Sequence, residues 1–460
     1  MTFPRSFDRL LESVIDANRS WEAGWPPVAP DPAQRLDPEI WAAATRDLSE
    51  RLRENYPHFH PLYAGQMLKP PHPAAVIGYL AAMLVNPNNH ALDGGRATAA
   101  LEKEAVASLA HMFGLRRSDF MGHLTASGTV ANLEALWVAR ELHPDLPVVV
   151  SSEAHYTHRR MCGVLRMPCI EVAATPDGRL DLARLDELLA VRKIGTLVVT
   201  LGTTALGALD PLADVLERRR VHGFRVHVDA AYGGYFRLVA GSAQWASELA
   251  PLLSTGEVDS VVVDPHKHGL QPYGCGCVLF ADSTPSKLYA HASPYTYFSS
   301  PEHHPGETTL ECSRSGAAAA ALWLTLQGLP LEPGGAMAAG LDLSLRAARA
   351  FATALPGAGY AVHVPPTLDI VTYYPERPSL SAISAASDRI FTAGEQAKTP
   401  LYLAKLVVNA DVFASLHPAI RVDAATVTLL RSCLMRPEQL GWVPAIVALL
   451  AELALGAPGV

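Results

Sequence analysis

The stretch SVVVDPHKHGLQPYGCGCVLF, residues 260–280, decides the fold. Its two ends, SVVV and GCVLF, are short continuous apolar runs of the kind found in strands that are buried on both faces. Lys267 lies between them. A lysine directly after a buried strand and between two histidines would lie partly out of water, which favours the neutral amine that attacks aldehydes. An isolated lysine after a strand is usually a surface residue, but this setting predicts a nucleophile in an α/β enzyme.

Three more apolar runs lie upstream and alternate with alanine-rich helical stretches from about 70 to 330. They are PVVVSS (147–152), TLVVTLG (196–202) and RVHVDA (225–230). This alternation predicts a largely parallel sheet covered on both faces. In open parallel sheets the ligand binds at the C-terminal edge. His155, Thr204 and Asp229 follow these runs and should meet Lys267 there.

The residue types at this edge suit a flat cofactor with a phosphate group. An aspartate such as Asp229 that faces a pyridine nitrogen keeps it protonated and makes the ring an electron sink, although a lone buried aspartate is more often a cap or an ion-pair partner. Ala231 is small enough for a ring to approach. In LTASGTVANLEAL (124–136) the amides of Gly128 and Thr129 would begin a helix, which suits a phosphate but is also an ordinary N-cap.

The chain divides into three predicted parts. An N-terminal arm, residues 1–60, contains helical pieces broken by the proline-rich WPPVAPDPAQ. A large catalytic domain would span 61–334, and a small α+β domain 335–460. An arm that wraps another surface suggests a dimer.

Composition excludes several classes of protein. Of the 460 residues 49% are hydrophobic and 18% charged, so a large core is possible, and the net charge of -8 argues against a nucleic-acid or anionic-membrane surface. The six cysteines form no CxxC motif, and the N-terminus has acidic residues where an export signal is apolar, so we expect a cytoplasmic protein. No HExxH or zinc-like spacing occurs, and His303 with His304 has no partner pattern, so we expect no metal site.

Five motifs in order, SGTVANL, SSEAHYT, TLGTTALGALD, HVDAAYGG and DPHKHGLQPYGCG, resemble the group II pyridoxal-phosphate-dependent amino-acid decarboxylases, the family that includes the aromatic amino-acid and glutamate decarboxylases. The resemblance covers roughly residues 55 to 435. It implies an α/β, PLP-dependent transferase fold (aspartate-aminotransferase-like, fold type I) with a largely parallel sheet and a small C-terminal α+β domain. It also implies a homodimer with active sites at the subunit interface, and pyridoxal 5'-phosphate as the cofactor.

The resemblance also implies roles for individual residues. Lys267 would hold the cofactor as a Schiff base, Asp229 would pair with its pyridine nitrogen, and His155 would stack on its ring. The other cofactor-binding residues would be Gly128, Thr129, Thr204, Ala231 and His266. The substrate would be bound by Arg431, Tyr63 and Gln66. The loop 283–310 offers Tyr289, Tyr295 and Tyr297 as proton donors, and we favour Tyr295 or Tyr297.

The reaction implied is decarboxylation of an L-amino acid to its amine and carbon dioxide, with an aromatic amino acid such as tyrosine or tryptophan as the first choice. Glutamate or aspartate comes second and diaminobutyrate third. An aldehyde synthase, an aminotransferase and a catalytically idle relative stay open as alternatives. Asp264 stands where animal aromatic decarboxylases have an asparagine near the phosphate, so its carboxylate cannot simply donate to that phosphate.

Overall fold

A computed structural model describes residues 5–29, 31–115, 120–242, 249, 256–289 and 305–455. Fourteen α-helices lie within the described residues. They are α1 Arg5–Ala23, α2 Pro38–Leu52, α3 Pro73–Val85, α4 Leu92–Met112, α5 Gly128–Leu142, α6 Thr157–Leu165, α7 Leu182–Val191, α8 Leu212–His222, α9 Ser286–Tyr289, α10 Ala317–Gly328, α11 Ala336–Ala354, α12 Leu380–Gln396, α13 Ala410–Leu416 and α14 Gln439–Leu455.

The strands form two sheets. The first contains β1 Met121–Thr125, β2 Val148–Ser151, β3 Cys169–Val172, β4 Thr196–Thr200, β5 Arg225–Asp229, β6 Ser260–Val263 and β7 Gly276–Phe280, and the second contains β8 Tyr360–Val364, β9 Ile370–Pro375, β10 Ala404–Asn409 and β11 Thr426–Cys433. Short 3-10 helices lie at Pro32–Gln34, Gly234–Ser242, Pro305–Glu307 and Leu355–Ala358.

The large sheet has seven strands in the order β1-β7-β6-β5-β4-β2-β3. The pairs from β3 to β6 are parallel, whereas β7 runs antiparallel to both β6 and β1. Every residue of β2, β4, β6 and β7 is buried, as expected of continuous apolar runs covered on both faces. The five strands predicted from these runs are confirmed. Because these five neighbouring strands are parallel, their C-terminal ends meet at one edge.

Two strands of this sheet were not predicted. Strand β1 reads MGHLT, so Gly122 and His123 interrupt its apolar character, and β3 is a four-residue edge strand that is only partly buried. Gly122 is needed for packing, because a Cβ there would lie 2.6 Å from Leu279 Cδ2. Polar or small residues therefore hide a strand whose position depends on its neighbours.

The C-terminal part contains the second sheet, antiparallel in the order β10-β11-β9-β8, with α12 packed on β11 and α11 on α14. This is the α+β arrangement predicted for residues 335–460. At the other end of the chain, α1 packs on α3, and α2 has no buried residue at all. No described helix has the length and apolar character needed to cross a membrane.

Candidate active site

A cavity of about 190 Å³ lies at the edge where the parallel strands end. Its wall is formed by Ser127, Gly128, Thr129, Asn132, His155, Thr157, Thr200, Gly202, Thr204, Asp229, Ala231, Tyr232, Asp264, His266 and Lys267. Every residue that the resemblance predicts to bind the cofactor lies in this wall. The residues come from loops after five different strands, so the sheet topology alone brings them together.

Lys267 lies in the turn that follows β6. Its backbone N–H donates to the carbonyl of Asp264 at 2.9 Å, and its Nζ lies 3.1 Å from Asp264 Oδ2. The lysine side chain is 22% exposed, whereas the Asp264 side chain is 4% exposed. Asp264 Oδ1 has no hydrogen-bond partner within the described part of the chain. The carboxylate therefore holds the lysine amine at the floor of the cavity.

Asp229 ends β5 and is buried. His158 Nε2 lies 2.8 Å from its Oδ2, the Asn132 amide donates to the same oxygen at 3.4 Å, and the Ala231 N–H donates to Oδ1 at 3.1 Å. Burial alone would raise the pKa of this carboxyl, but the hydrogen bond and charge of His158, together with the charge of Lys267, lower the pKa well below its usual range. Asp229 is therefore a fixed negative charge in the cavity wall.

A second layer of polar side chains supports Asp229 from behind. His227 Nε2 lies 2.8 Å from Asn132 Oδ1, and His227 Nδ1 lies 2.8 Å from Ser260 Oγ. Burial lowers the pKa of His227 to about 3, so its ring is neutral at pH 7. This network joins three elements, α5, β5 and β6, and fixes the orientation of the Asn132 amide. None of His158, Asn132, His227 or Ser260 was predicted from the sequence.

His155 forms one side of the cavity in the turn before α6. Its Nδ1 accepts the backbone N–H of Thr157 at 3.2 Å and lies 2.7 Å from the Thr157 hydroxyl. Burial lowers the pKa of His155, so the ring is neutral and its plane is fixed by these two contacts. A neutral, immobilised imidazole is suited to stack on a flat ring. His158 lies one residue after Thr157, so one short helical segment supplies both this ring and the partner of Asp229.

The N-terminus of α5 borders the opposite end of the cavity. The Ser127 hydroxyl accepts the Val130 N–H at 3.3 Å and caps the helix, while Gly128 and Thr129 open it. A Cβ at Gly128 would lie 2.6 Å from both carboxylate oxygens of Asp264. Only glycine therefore allows the helix to begin this close to Asp264, and the first amides of α5 are directed at the cavity.

A buried ion pair holds the strand that leads into this helix. Arg314 Nη1 lies 2.7 Å from Glu102 Oε1, with 7% and 2% of the two side chains exposed. Both residues also bind the main chain of Leu124, because Glu102 accepts its N–H at 3.0 Å and Arg314 donates to its carbonyl at 2.8 Å. Asn89 donates to the second Glu102 oxygen at 2.7 Å. We call Glu102 and Arg314 the β1 clamp.

Arg431, predicted to bind the substrate carboxylate, lies on β11 and is buried. Its Nε donates to the Ala205 carbonyl at 3.0 Å, its Nη2 to the Thr204 carbonyl at 2.5 Å, and its Nη1 lies 3.5 Å from Gln66 Oε1. Tyr63 is buried beside Gln66, whose N–H donates to the tyrosine hydroxyl at 3.2 Å. These three residues meet one another but are not in the wall of the cavity, and a role in substrate binding stays a prediction.

His266 and the candidate tyrosines complete the predicted set. His266 Nδ1 donates to the Cys275 carbonyl at 2.7 Å, and its ring lies 4.8 Å from that of Tyr273. Tyr295 and Tyr297 lie outside the described residues. Tyr289 is buried in α9, with its ring edge-on to Trp137 at 4.8 Å, and is not in the cavity wall.

No group of three or more described histidines, cysteines and carboxylates is arranged so that it could hold a metal ion. The six cysteines are free thiols, and Cys275 and Cys277 are buried, as expected of small core residues. The chemistry available to the cavity is therefore that of an amine, a buried carboxylate, a neutral imidazole and a helix N-terminus.

Residues 28–332 match a family model described as the pyridoxal-dependent decarboxylase conserved domain. L-tyrosine decarboxylase of Enterococcus faecium is 28% identical over 436 residues, a match that covers 71% of this chain and 71% of that protein. L-aspartate decarboxylase of Thermococcus kodakarensis is 27% identical over 294 residues, covering 62% and 73%. The matches span 61% to 71% of four of the curated relatives.

The solved structure of Oryza sativa TDC with PLP and tryptamine superimposes with a TM-score of 0.76, covering 98% of this chain and 99% of that one at 18% sequence identity. The decarboxylase domain from Vibrio parahaemolyticus gives a TM-score of 0.74, with 98% and 95% covered and 18% identity. At this identity the likeness is one of fold, and it confirms the predicted fold.

Proposed function

Since the chain belongs to the pyridoxal-dependent decarboxylase family, and is therefore a PLP-dependent carboxy-lyase that acts on an amino acid, we propose that its substrate is an aromatic L-amino acid, with L-tyrosine first. The observation that carries the choice of substrate is the charge of the cavity wall. Lys267 is the one lysine or arginine among the described wall residues, while Asp229 and Asp264 are acidic. A glutamate or aspartate side chain would need a second cation besides Arg431, which we assign to the substrate's α-carboxylate, and the described wall contains none besides Lys267.

The residues present fit pyridoxal phosphate. Asp264 Oδ1 is a buried oxygen with no partner in the described part of the chain, Gly128 lets the first amides of α5 approach the cavity because it has no Cβ to clash with Asp264, and Lys267 supplies the amine. Gly128 and Thr129 would hold the phosphate, and His155 and Ala231 would lie on the two faces of the ring. When bound, the cofactor supplies an electron sink, so that the bond from the amino acid's α carbon to its carboxylate breaks with release of carbon dioxide.

The chain's own groups contribute orientation and charge to this reaction. Asp229 stays ionised because His158 offsets the cost of its burial, and its negative charge would hold a proton on the pyridine nitrogen of the cofactor. His155 stays neutral and does not compete with the cofactor for that charge. We keep Tyr295 and Tyr297 as the groups that return a proton to the α carbon, and Arg431, Tyr63 and Gln66 as the substrate contacts.

The test is carbon dioxide release from a panel of L-tyrosine, L-tryptophan, L-aspartate, L-glutamate and L-2,4-diaminobutyrate, with amine and aldehyde products measured separately. We expect tyrosine to give one amine per carbon dioxide, a reaction lost in Lys267→Ala and kept in the exposed control Lys287→Ala. Turnover of aspartate or glutamate alone would refute the aromatic assignment. Aldehyde in place of amine would identify an aldehyde synthase instead.

We also infer a cytoplasmic homodimer with a shared active site. Support comes from the arm, where α2 buries nothing and Trp25, Ile40 and Trp41 are 67%, 65% and 50% exposed. Large apolar side chains clustered on one segment mark an interaction surface. Light scattering should give twice the chain mass of 49.2 kDa, and Trp41→Asp should shift the protein towards the monomer. A monomeric wild-type protein would contradict this proposal.

A further inference from the structure

A second cavity, of about 280 Å³, lies outside the active site, between the large domain and the C-terminal part. We call it the junction cavity. Its wall is formed by Lys69, Pro70, Pro71, His72, Pro73, His268, Leu270, Leu329, Ala336, Met337, Gly340, Leu341, Ser344, Arg436, Pro437 and Glu438. None of these residues lines the active-site cavity, although His268 directly follows Lys267.

One side of the junction cavity is cationic. Lys69 Nζ has two weak contacts, with the Met435 carbonyl at 3.3 Å and with His268 Nδ1 at 3.5 Å, and no carboxylate lies within ion-pair distance of it in the described chain. Arg436 is 12% exposed, and its Nε is buried without a hydrogen-bond partner among the described residues. Its Nη2 lies 3.4 Å from Glu438, which is 58% exposed at the rim. Arg436 Nη1 donates to the His58 carbonyl at 3.1 Å. Lys69 and Arg436 therefore share one acid in the wall, Glu438, while the buried Asp369 attracts Lys69 from outside the wall.

Apart from His72, His268 and Ser344, the remaining wall is apolar. Leu270, Leu329, Met337 and Leu341 are joined by four prolines and by Ala336. A cavity of this volume exceeds the roughly 150 Å³ that accommodates a benzene ring. A ligand that fills it therefore needs an apolar body as well as a group for the cations.

We propose that the junction cavity is a binding site for a small amphipathic carboxylate, whose apolar body lies against Met337 and Leu341 and whose carboxylate pairs with Lys69 and Arg436. An unpaired ammonium in such a site is the costliest group in the wall, and an anion removes that cost. The pKa of Lys69 is consistent with this, because burial lowers it to about 8. A carboxylate beside it would raise that pKa again.

Three side chains, those of His268, Asp369 and Tyr232, connect Lys69 in the junction cavity to the active-site cavity. Lys69 contacts His268, His268 Nε2 lies 3.3 Å from Asp369 Oδ2, and Tyr232 donates to Asp369 Oδ1 at 2.6 Å. Tyr232 is in the wall of the active-site cavity. A carboxylate that moves Lys69 away from His268 acts on a buried chain of contacts that ends beside the cofactor position.

The test is calorimetric titration of the holoenzyme with 3-phenylpropionate, compared with 3-phenylpropan-1-ol and 3-phenylpropylamine. These probes share one apolar body and differ in charge. We expect the carboxylate to bind at least tenfold more tightly than either of the others. Equal binding of all three probes, or no binding of the carboxylate, overturns the proposal.

Two pairs of variants locate the site. Lys69→Met removes the cation and keeps the apolar stem, and exposed Lys398→Met is its control. Gly340→Leu fills the cavity, since a Cβ at Gly340 meets only Pro437 Cγ, at 3.5 Å, and Gly441→Leu, with open space around it, is the control. We expect both test variants to weaken binding at least tenfold and both controls to keep it. Binding retained in Gly340→Leu places the probe outside the junction cavity and refutes the proposal, even if Lys69→Met does not fold.

Discussion

Substitution of Glu102 by leucine tests how β1, the strand that leads into helix α5 at the cavity, is held in place. The change leaves the guanidinium of Arg314 buried at 7% exposure without its 2.7 Å partner, and removes the acceptor for the Leu124 N–H. Breaking a buried ion pair from one side costs about 3–5 kcal/mol. An unsatisfied buried amide adds about 1–3 kcal/mol. We therefore expect the free energy of unfolding to fall by at least about 3 kcal/mol.

The assay is urea unfolding followed by tryptophan fluorescence, with a double-mutant cycle. Glu102→Leu combined with Arg314→Met removes both charges and should recover much of the loss, since the buried cation is then absent. The control is Glu187→Leu, which breaks a 2.9 Å pair with Arg184 whose side chains are 59% and 63% exposed and should cost under about 1 kcal/mol. A loss in Glu102→Leu no larger than in the control would refute the reasoning.

The pH dependence of this loss has a definite sign. Burial alone would raise the pKa of Glu102, but the charge and hydrogen bonds of Arg314 lower it. A lowered folded-state pKa contributes stability above the unfolded value of about 4.3, and this contribution disappears as pH falls through the folded pKa. The difference between wild type and Glu102→Leu should therefore be constant from pH 8 to 6 and shrink below about pH 4.

Three further substitutions test the cavity wall. His158→Leu removes the donor to Asp229, a charge-assisted hydrogen bond of about 1.5–3 kcal/mol, so kcat/KM should fall about 10- to 150-fold. His158→Gln should recover most of this loss, and an unchanged kcat/KM in His158→Leu would count against the role of His158. Gly128→Val places a Cβ 2.6 Å from the Asp264 oxygens and should weaken cofactor affinity at least tenfold in a fluorescence titration, whereas wild-type affinity would contradict the close approach. Arg431→Met leaves the Thr204 and Ala205 carbonyls without their donor and should lower both the melting temperature and kcat/KM. If neither quantity changed, the contact of Arg431 with these carbonyls would have no importance for stability or activity.

The sequence was most informative where residues with reactive side chains follow directly after a buried strand. Lys267, Asp229, Thr204 and His155 could be placed at one edge because each comes shortly after a continuous apolar run, and parallel strands end together. The same reasoning does not reach strand β1, whose apolar residues are interrupted by Gly122 and His123. That strand becomes recognisable only beside β7, its antiparallel partner in the fold.

The supporting residues could not be predicted because their partners are distant in the chain. His158 meets Asp229 across 71 positions, and Arg314 meets Glu102 across 212. No periodicity or local motif specifies such a pair. One local signal does exist for His158, which lies three residues after His155 in the same segment that follows β2.

The pairing of β1 with β7 limits the order in which the strands of the large sheet can pair while the chain is being synthesised. Thr125 lies opposite Gly276 although 151 residues separate them, whereas β2 to β5 pair with strands that leave the ribosome shortly before or after them. During synthesis the central strands of the sheet can therefore pair before β1 has its partner β7. Helix α5 begins three residues after β1, so its end of the cavity wall is fixed only after both β7 and Arg314 have emerged.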